Sequence, residues 1–138
     1  MRILHLSYHE KTGGAAIAAN RIHESLLKLK IDSIMLVKNK QSNSKNVINL
    51  TSRTEIFLDK INLFFQRKLH KLNSNLNENK VSKSYNLLPT FKNKIIEKIN
   101  PDIINLHWIG NNFISLRELS LIKKPIIWTI HDMWPYCG

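Results

Sequence analysis

Two histidines, a glycine pair and two tryptophans are the residues whose types and spacing could do chemistry in this chain. His107 closes the run Asp102-Ile103-Ile104-Asn105-Leu106, and His131 closes Pro125-Ile126-Ile127-Trp128-Thr129-Ile130. A histidine in such a place donates to or accepts from a hydroxyl, and when protonated it stabilises developing charge, which suits a polyol or a phosphate. Either one alone also fits a hydrogen bond to a loop carbonyl; the pair at matching strand ends is what suggests a shared cleft. Gly13-Gly14 falls between the first apolar run and the first helical pattern. Glycine there permits positive φ and close backbone approach, and a helix start offers N–H donors to an anion such as a phosphate. The same two residues also make an ordinary tight turn, and the fuller G-x-G-x-x-G fingerprint is absent. Trp108 and Trp134 stand beside the histidines and could stack on a sugar or a base, whereas Trp128, inside its apolar run, reads as core. Asp132 can cap a short helix beginning at Met133, with Pro135 tolerated in the first turn. His131, Asp132 and Cys137 are too loosely spaced for zinc and lack a clear fourth ligand, so no metal is expected.

These residues need elements to position them. Residues 2–7 read as a short buried strand, and from Ala15 the period becomes helical, with Ala15, Ala18, Ala19, Ile22, Leu26 and Leu29 on one face. Strands are expected over 33–37 and, more weakly, 47–50, separated by the polar loop 39–46. A long helix over 54–72 carries the stripe Phe57, Ile61, Phe64, Phe65, Leu69 and Leu72, flanked by Lys60, Arg67, Lys68 and Lys71. Most of that stripe is expected to pack on the sheet, leaving Phe64 or Phe65 with Arg67 and Lys68 available to a membrane surface. The Asn-rich stretch 73–86 reads as a loop, 91–99 as a helix stopped by Asn100-Pro101, 102–107 as a strand, 114–122 as a helix, and 125–130 as the last strand. Strands alternating with helices predict βαβ units, and so an α/β fold with a parallel sheet and right-handed crossovers.

The 138 residues suit one domain, 43% are hydrophobic, and no apolar run is long enough to cross a bilayer. The opening lacks the pattern of a signal peptide, so a cytoplasmic location is the expectation. A single cysteine, Cys137, makes no internal disulfide and supports no redox chemistry. The net charge of +11 draws the chain toward phosphates, on nucleotides, nucleic acid or anionic lipid heads, although spread-out lysines also serve as a solvated face. No nucleic-acid recognition motif accompanies the charge, so nucleic acid is not the expected partner; a basic nucleic-acid-binding or protein-interaction module is the alternative function.

The opening strand, Gly13-Gly14-Ala15-Ala16 with its helix through Asn20-Arg21 and Leu26, Asp102-Ile103-Ile104-Asn105-Leu106-His107-Trp108, and Thr129-Ile130-His131-Asp132-Met133-Trp134-Pro135 resemble the amino-terminal half of bacterial family 4 glycosyltransferases. Residues 40–95 add little to the match. The resemblance implies the GT-B architecture, two Rossmann-like domains facing a cleft, and a retaining transfer of sugar from a nucleotide-sugar to a glycan or lipid-linked acceptor in cell-envelope polysaccharide synthesis. It implies no cofactor besides the nucleotide-sugar donor substrate, and a place at the inner face of the cell membrane with an anionic membrane surface as a further partner. By the same resemblance His131 is the catalytic residue, close to the transferred sugar, and Gly13 and Gly14 lie near the donor phosphates and acceptor. His107, Trp108, Asp132 and Trp134 complete the expected substrate-binding set. Residues 1–138 would then be a truncated amino-terminal Rossmann-like domain without the carboxy-terminal nucleotide-sugar domain, and inactive alone, because orienting donor against acceptor is a large part of the transfer rate.

Overall fold

The computed structural model describes residues 1–49, 56, 57, 60, 61, 64, 65, 68, 84, 86–133 and 136. In chain order the elements are β1 (Arg2–His9), α1 (Gly14–Lys28), β2 (Asp32–Asn39), β3 (Val47–Asn49), α2 (Asn93–Ile99), β4 (Ile103–Leu106), α3 (Leu116–Ser120) and β5 (Ile126–Trp128). The five strands form one all-parallel sheet in the order β3-β2-β1-β4-β5. This is the α/β class that the alternation of patterns predicts. The chain steps from β1 outward through β2 and β3, then returns to the other side of β1 for β4 and β5. Neighbouring connections thus leave β1 and β4 in opposite directions, and the carboxyl ends at such a reversal of strand order are where open parallel sheets bind ligands.

Strand residues alternate between the two faces. Leu4 and Leu6 of β1, Leu36 of β2 and Ile104 and Leu106 of β4 point to one face, where Ile96 and Ile99 of α2 and Ile109, Phe113 and Ile114 of the β4–α3 connection complete the main core. Each fully buried side chain of this size contributes about 2 kcal/mol of apolar transfer. The other face carries a smaller core of Met35, Val37 and Val47 against Ala19 of α1. His5 and Ser7 of β1 share that second face and are buried beside α1.

The helical period places Ala15, Ala18, Ala19, Ile22, Leu26 and Leu29 inward, but α1 buries Ala16, Ala19 and His23 and leaves Ile22 and Leu29 exposed. The stripe is turned by one position. Small alanines let the helix sit close to the sheet, and His23 meets the Ser33 hydroxyl of β2 at 2.7 Å, so a polar contact and close packing outweigh the longer apolar side chains. Among the described residues of the expected 54–72 helix, those at 56, 57, 60, 61, 64, 65 and 68 are helical. Phe57, Phe64 and Phe65 are all exposed, so Phe57 does not join the core as the stripe predicts. Arg67, Lys71, Leu69 and Leu72 lie outside the described residues, as does the stretch 73–83 of the Asn-rich loop. The strands expected at 102–107 and 125–130 are shorter, and the helix expected at 114–122 starts only at Leu116, where a Ser115–Glu118 capping box fixes its first turn. No helix among the described residues is long and apolar enough to cross a membrane.

Candidate functional site

The ladder continues past the ends of the short strands, and this continuation sets the site. The His107 N–H donates to Leu6 O at 2.9 Å, Tyr8 N–H to Trp108 O at 3.0 Å, and Thr129 N–H to Leu106 O at 2.8 Å. Beneath them the Thr129 hydroxyl donates to Asn105 Oδ1 at 2.9 Å. Residues 105, 107, 129 and 131 therefore keep the strand alternation and fall on the face that carries His5 and Ser7.

On that face His107 and His131 come together as the two strand ends predict. Nδ1 of His107 lies 3.0 Å from Nε2 of His131, with the rings stacked at 5.3 Å between centroids. The sequence does not announce the rest of the row. Nε2 of His107 lies 3.1 Å from Nδ1 of His5, again stacked at 5.3 Å, and the edge of His23 meets His5 at 5.9 Å. Four imidazoles thus cross the sheet from α1 through β1 and the end of β4 to the segment after β5. His5, His23 and His107 are buried, while His131 is only half-buried and ends the row toward solvent.

Burial keeps the inner rings uncharged. It brings His107 down to about 3, with His5 and His131 adding like-charge repulsion. It brings His5 down to about 4, with His23 adding to the shift. His23 is lowered by burial as well, against the opposing pull of Glu24 and Glu10. At neutral pH these three inner rings are neutral donors and acceptors rather than a cluster of cations.

Gly13 and Gly14 lie at the same carboxyl edge. Gly13 is the residue before the first turn of α1 at φ 90° and ψ 158°, a region in which only glycine is at ease, and Gly14 begins the helix. A Cβ built on either meets no atom within 4 Å, so the backbone there is open to approach. The first turn of α1 carries no side-chain cap and no acidic residue, which leaves its N–H groups free of competition from a carboxylate.

Trp108 departs from its expected role. The ring is half-buried on the opposite face, edge-on to Tyr8 at 5.6 Å, and packed so closely over Gly110 that a Cβ there would lie 2.7 Å from Cζ2. Alternation past His107 sends it to the main-core side, so it serves packing and not the histidine edge. Asp132 is exposed. Most of the helix it is expected to cap, and Trp134 itself, lie outside the described residues. Among the described residues no three His, Cys, Asp or Glu side chains are grouped to hold a metal ion. A cavity of about 610 Å³ lined by Ile96, Pro101, Leu121, Ile122, Lys123 and Lys124 lies at the amino ends of β4 and β5, remote from the histidines.

Two residues of the row, His5 and His23, escape sequence reading: His5 lies between Leu4 and Leu6 in an apolar strand, and His23 falls between Ile22 and Glu24, off the apolar stripe that the helical period marks. The available signal is parity: His5 in β1 and His107 after β4 occupy the same face once β1 and β4 are known to be neighbours, through the pairing of His5 with Asn105. Comparison with protein-family models, with curated protein sequences and with solved structures finds no match to this chain.

Proposed function

We propose that these 138 residues form the acceptor-side, Rossmann-like portion of a retaining glycosyltransferase of the GT-B type, using a nucleotide-sugar donor and a glycan or lipid-linked acceptor. The observation that supports the reading is the convergence of His107 and His131 at 3.0 Å on the carboxyl edge of a parallel sheet, the edge that also carries the open Gly13-Gly14 helix start. Ligands of open parallel sheets bind at that edge. In this reading His131, the solvent-side member of the pair, hydrogen-bonds the sugar being transferred, and His107 holds its ring. The N–H groups after Gly13 face the donor phosphates, for which a helix start is well suited. Trp108 is left out of the binding set because its ring packs on the other face.

The test begins with the coding DNA beyond Gly138 and an assay of the encoded product for acceptor-dependent nucleotide release across a panel of nucleotide-sugars. Release with one donor is expected, and His131→Ala should lower turnover on the order of a hundredfold or more while leaving the melting temperature nearly unchanged. Unchanged turnover in that variant removes His131 from the site. Salt-sensitive binding to random oligonucleotides, indifferent to His131→Ala and without nucleotide release, would replace the reading with a basic binding module.

A further inference from the structure

The three imidazoles of His5, His107 and His131 are joined so that both nitrogens of the middle ring are used: Nε2 by Nδ1 of His5 at 3.1 Å and Nδ1 by Nε2 of His131 at 3.0 Å. At the inner end, His5 Nε2 is buried with no hydrogen-bond partner among the described residues. At the outer end the ring of His131 is half-buried. A neutral imidazole has one N–H and one lone pair. His107 therefore donates to one neighbour and accepts from the other, and the neutral row can be strung in only two directions. In one, His5 Nδ1–H donates to His107 and His107 Nδ1–H donates to His131, which leaves the outer His131 Nδ1 as an N–H donor. In the other, His131 Nε2–H donates to His107 and His107 Nε2–H donates to His5, so His5 carries its hydrogen on Nε2 and His131 Nδ1 is a bare lone pair.

A protonated His131 has hydrogen on both nitrogens, and its Nε2–H must donate to His107 Nδ1. Only the second direction then survives. We propose that His5, His107 and His131 form a tautomer relay, in which the protonation state of His131 at the sheet edge sets which nitrogen of the buried His5 carries hydrogen. The coupling also runs backward: the tautomer of His5 decides whether His131 offers a ligand a donor or a lone pair. His5 and His107 are thus positioning residues for His131, whatever the ligand is.

The proton balance closes. Starting from the first direction, one hydrogen passes from His107 Nδ1 to His131 Nε2, one passes from His5 Nδ1 to His107 Nε2, and one proton from solvent ends on His5 Nε2. The row gains one proton in all, and the charge resides on the outermost ring. The first direction is favoured in the neutral row because the second buries the His5 Nε2–H without an acceptor, and orphaned N–H groups are rarer than unused acceptors. The groups facing the row are His23 of α1 against His5, with Ser33 of β2 bonded to His23, Glu24 and Glu10 near His23, and Asp132 next to His131 in sequence.

The test is nitrogen-15 spectroscopy of the histidine rings in the full chain between pH 8 and pH 5. Couplings across the two N···N hydrogen bonds are expected in the unmodified protein, and their absence would overturn the row without any variant. His5 is expected to change from the Nδ1–H to the Nε2–H tautomer with the same midpoint at which His131 becomes doubly protonated, and His131→Gln should abolish that change. A His5 ring that keeps one tautomer through the His131 transition, or that still switches in His131→Gln, refutes the relay. No sugar enters these measurements, so they can fail while sugar transfer stands, and the reverse.

Discussion

Replacing Glu118 by Gln tests how the crossover into β5 is held, and the contacts allow its cost to be worked out. Glu118 Oε2 accepts from Thr90 N–H and the Thr90 hydroxyl, both at 2.8 Å, and from the Ser115 hydroxyl at 2.6 Å, while Oε1 accepts from Lys92 N–H at 2.8 Å. The carboxylate thereby ties residues 90–92, which lead into α2, to the first turn of α3. Glutamine keeps the shape but puts an NH2 where one oxygen was. At Oε2 it would confront backbone N–H donors, so it turns toward Lys92, and the Lys92 N–H loses its acceptor. A stranded buried donor costs about 1–3 kcal/mol, and the bonds that remain lose their charge assistance, roughly half their worth. The sum is about 3 kcal/mol, or about 10 °C in Tm for a domain of this size. Urea unfolding followed by far-UV circular dichroism at pH 7 measures it. Burial alone would push the Glu118 carboxyl up, but the bonds from Ser115, Thr90 and Lys92 outweigh it and hold the group below the ordinary carboxylate value. A depressed acid contributes its stability above the unfolded value near 4.3 and loses it as the pH falls through the lower folded value, so the gap between the two proteins must narrow in acid. The clamp also holds Phe91, between Thr90 and Lys92, at φ 57°, a conformation that costs a side-chain-bearing residue about 1–2 kcal/mol. Phe91→Gly in the Glu118→Gln background should recover about 1 kcal/mol of that. A Glu118→Gln protein within about 0.5 kcal/mol of the parent at pH 7, or a gap indifferent to pH, refutes the reasoning.

The glycine pair should separate by conformation rather than by space. Gly13→Ala is expected to destabilise by about 1–3 kcal/mol because φ 90° with ψ 158° strains any Cβ, whereas Gly14→Ala, inside the first helical turn, should be neutral or stabilise by up to about 1 kcal/mol; equal melting temperatures would contradict this. The buried histidines should show as acid sensitivity. His107 and His5 are held, chiefly by burial, at about 3 and about 4, so below their ordinary value near 6.5 the unfolded chain binds protons that the native row refuses. Stability should then fall as the pH drops from about 6.5 toward 4, approaching about 1.4 kcal/mol per pH unit for each histidine, and His5→Phe should reduce the slope. A stability flat over that window would show that these rings are not buried neutral.

Much of the fold was legible along the chain because parallel strands and their crossover helices leave local marks: apolar-rich runs over residues 2–7, 33–37 and 102–107, which the structure forms as strands 2–9, 32–39 and 103–106, a glycine pair before α1, and Asn100-Pro101, where Asn100 takes the left-handed conformation that ends α2. His107 and His131 could be paired from sequence for the same reason, since each closes a strand of one parallel sheet and must leave by the same edge. What depended on packing was not legible. The inward side of α1 was set by how closely Ala16 and Ala19 approach the sheet and by the His23–Ser33 contact, and a hydrophobic period records neither. The Asn-rich composition hid buried Asn86 and Asn112, whose side chains bind Ile109 O and Leu88 O and lash the segment before α2 to the connection after β4. Trp108 changed roles because strand alternation carried one residue past His107 turns its ring to the other face. The row from His23 to His131 exists only because the return of the chain puts β4 beside β1, which brings residues about a hundred positions apart within hydrogen-bonding distance, and that strand order is a property of the folded sheet rather than of any local stretch of sequence.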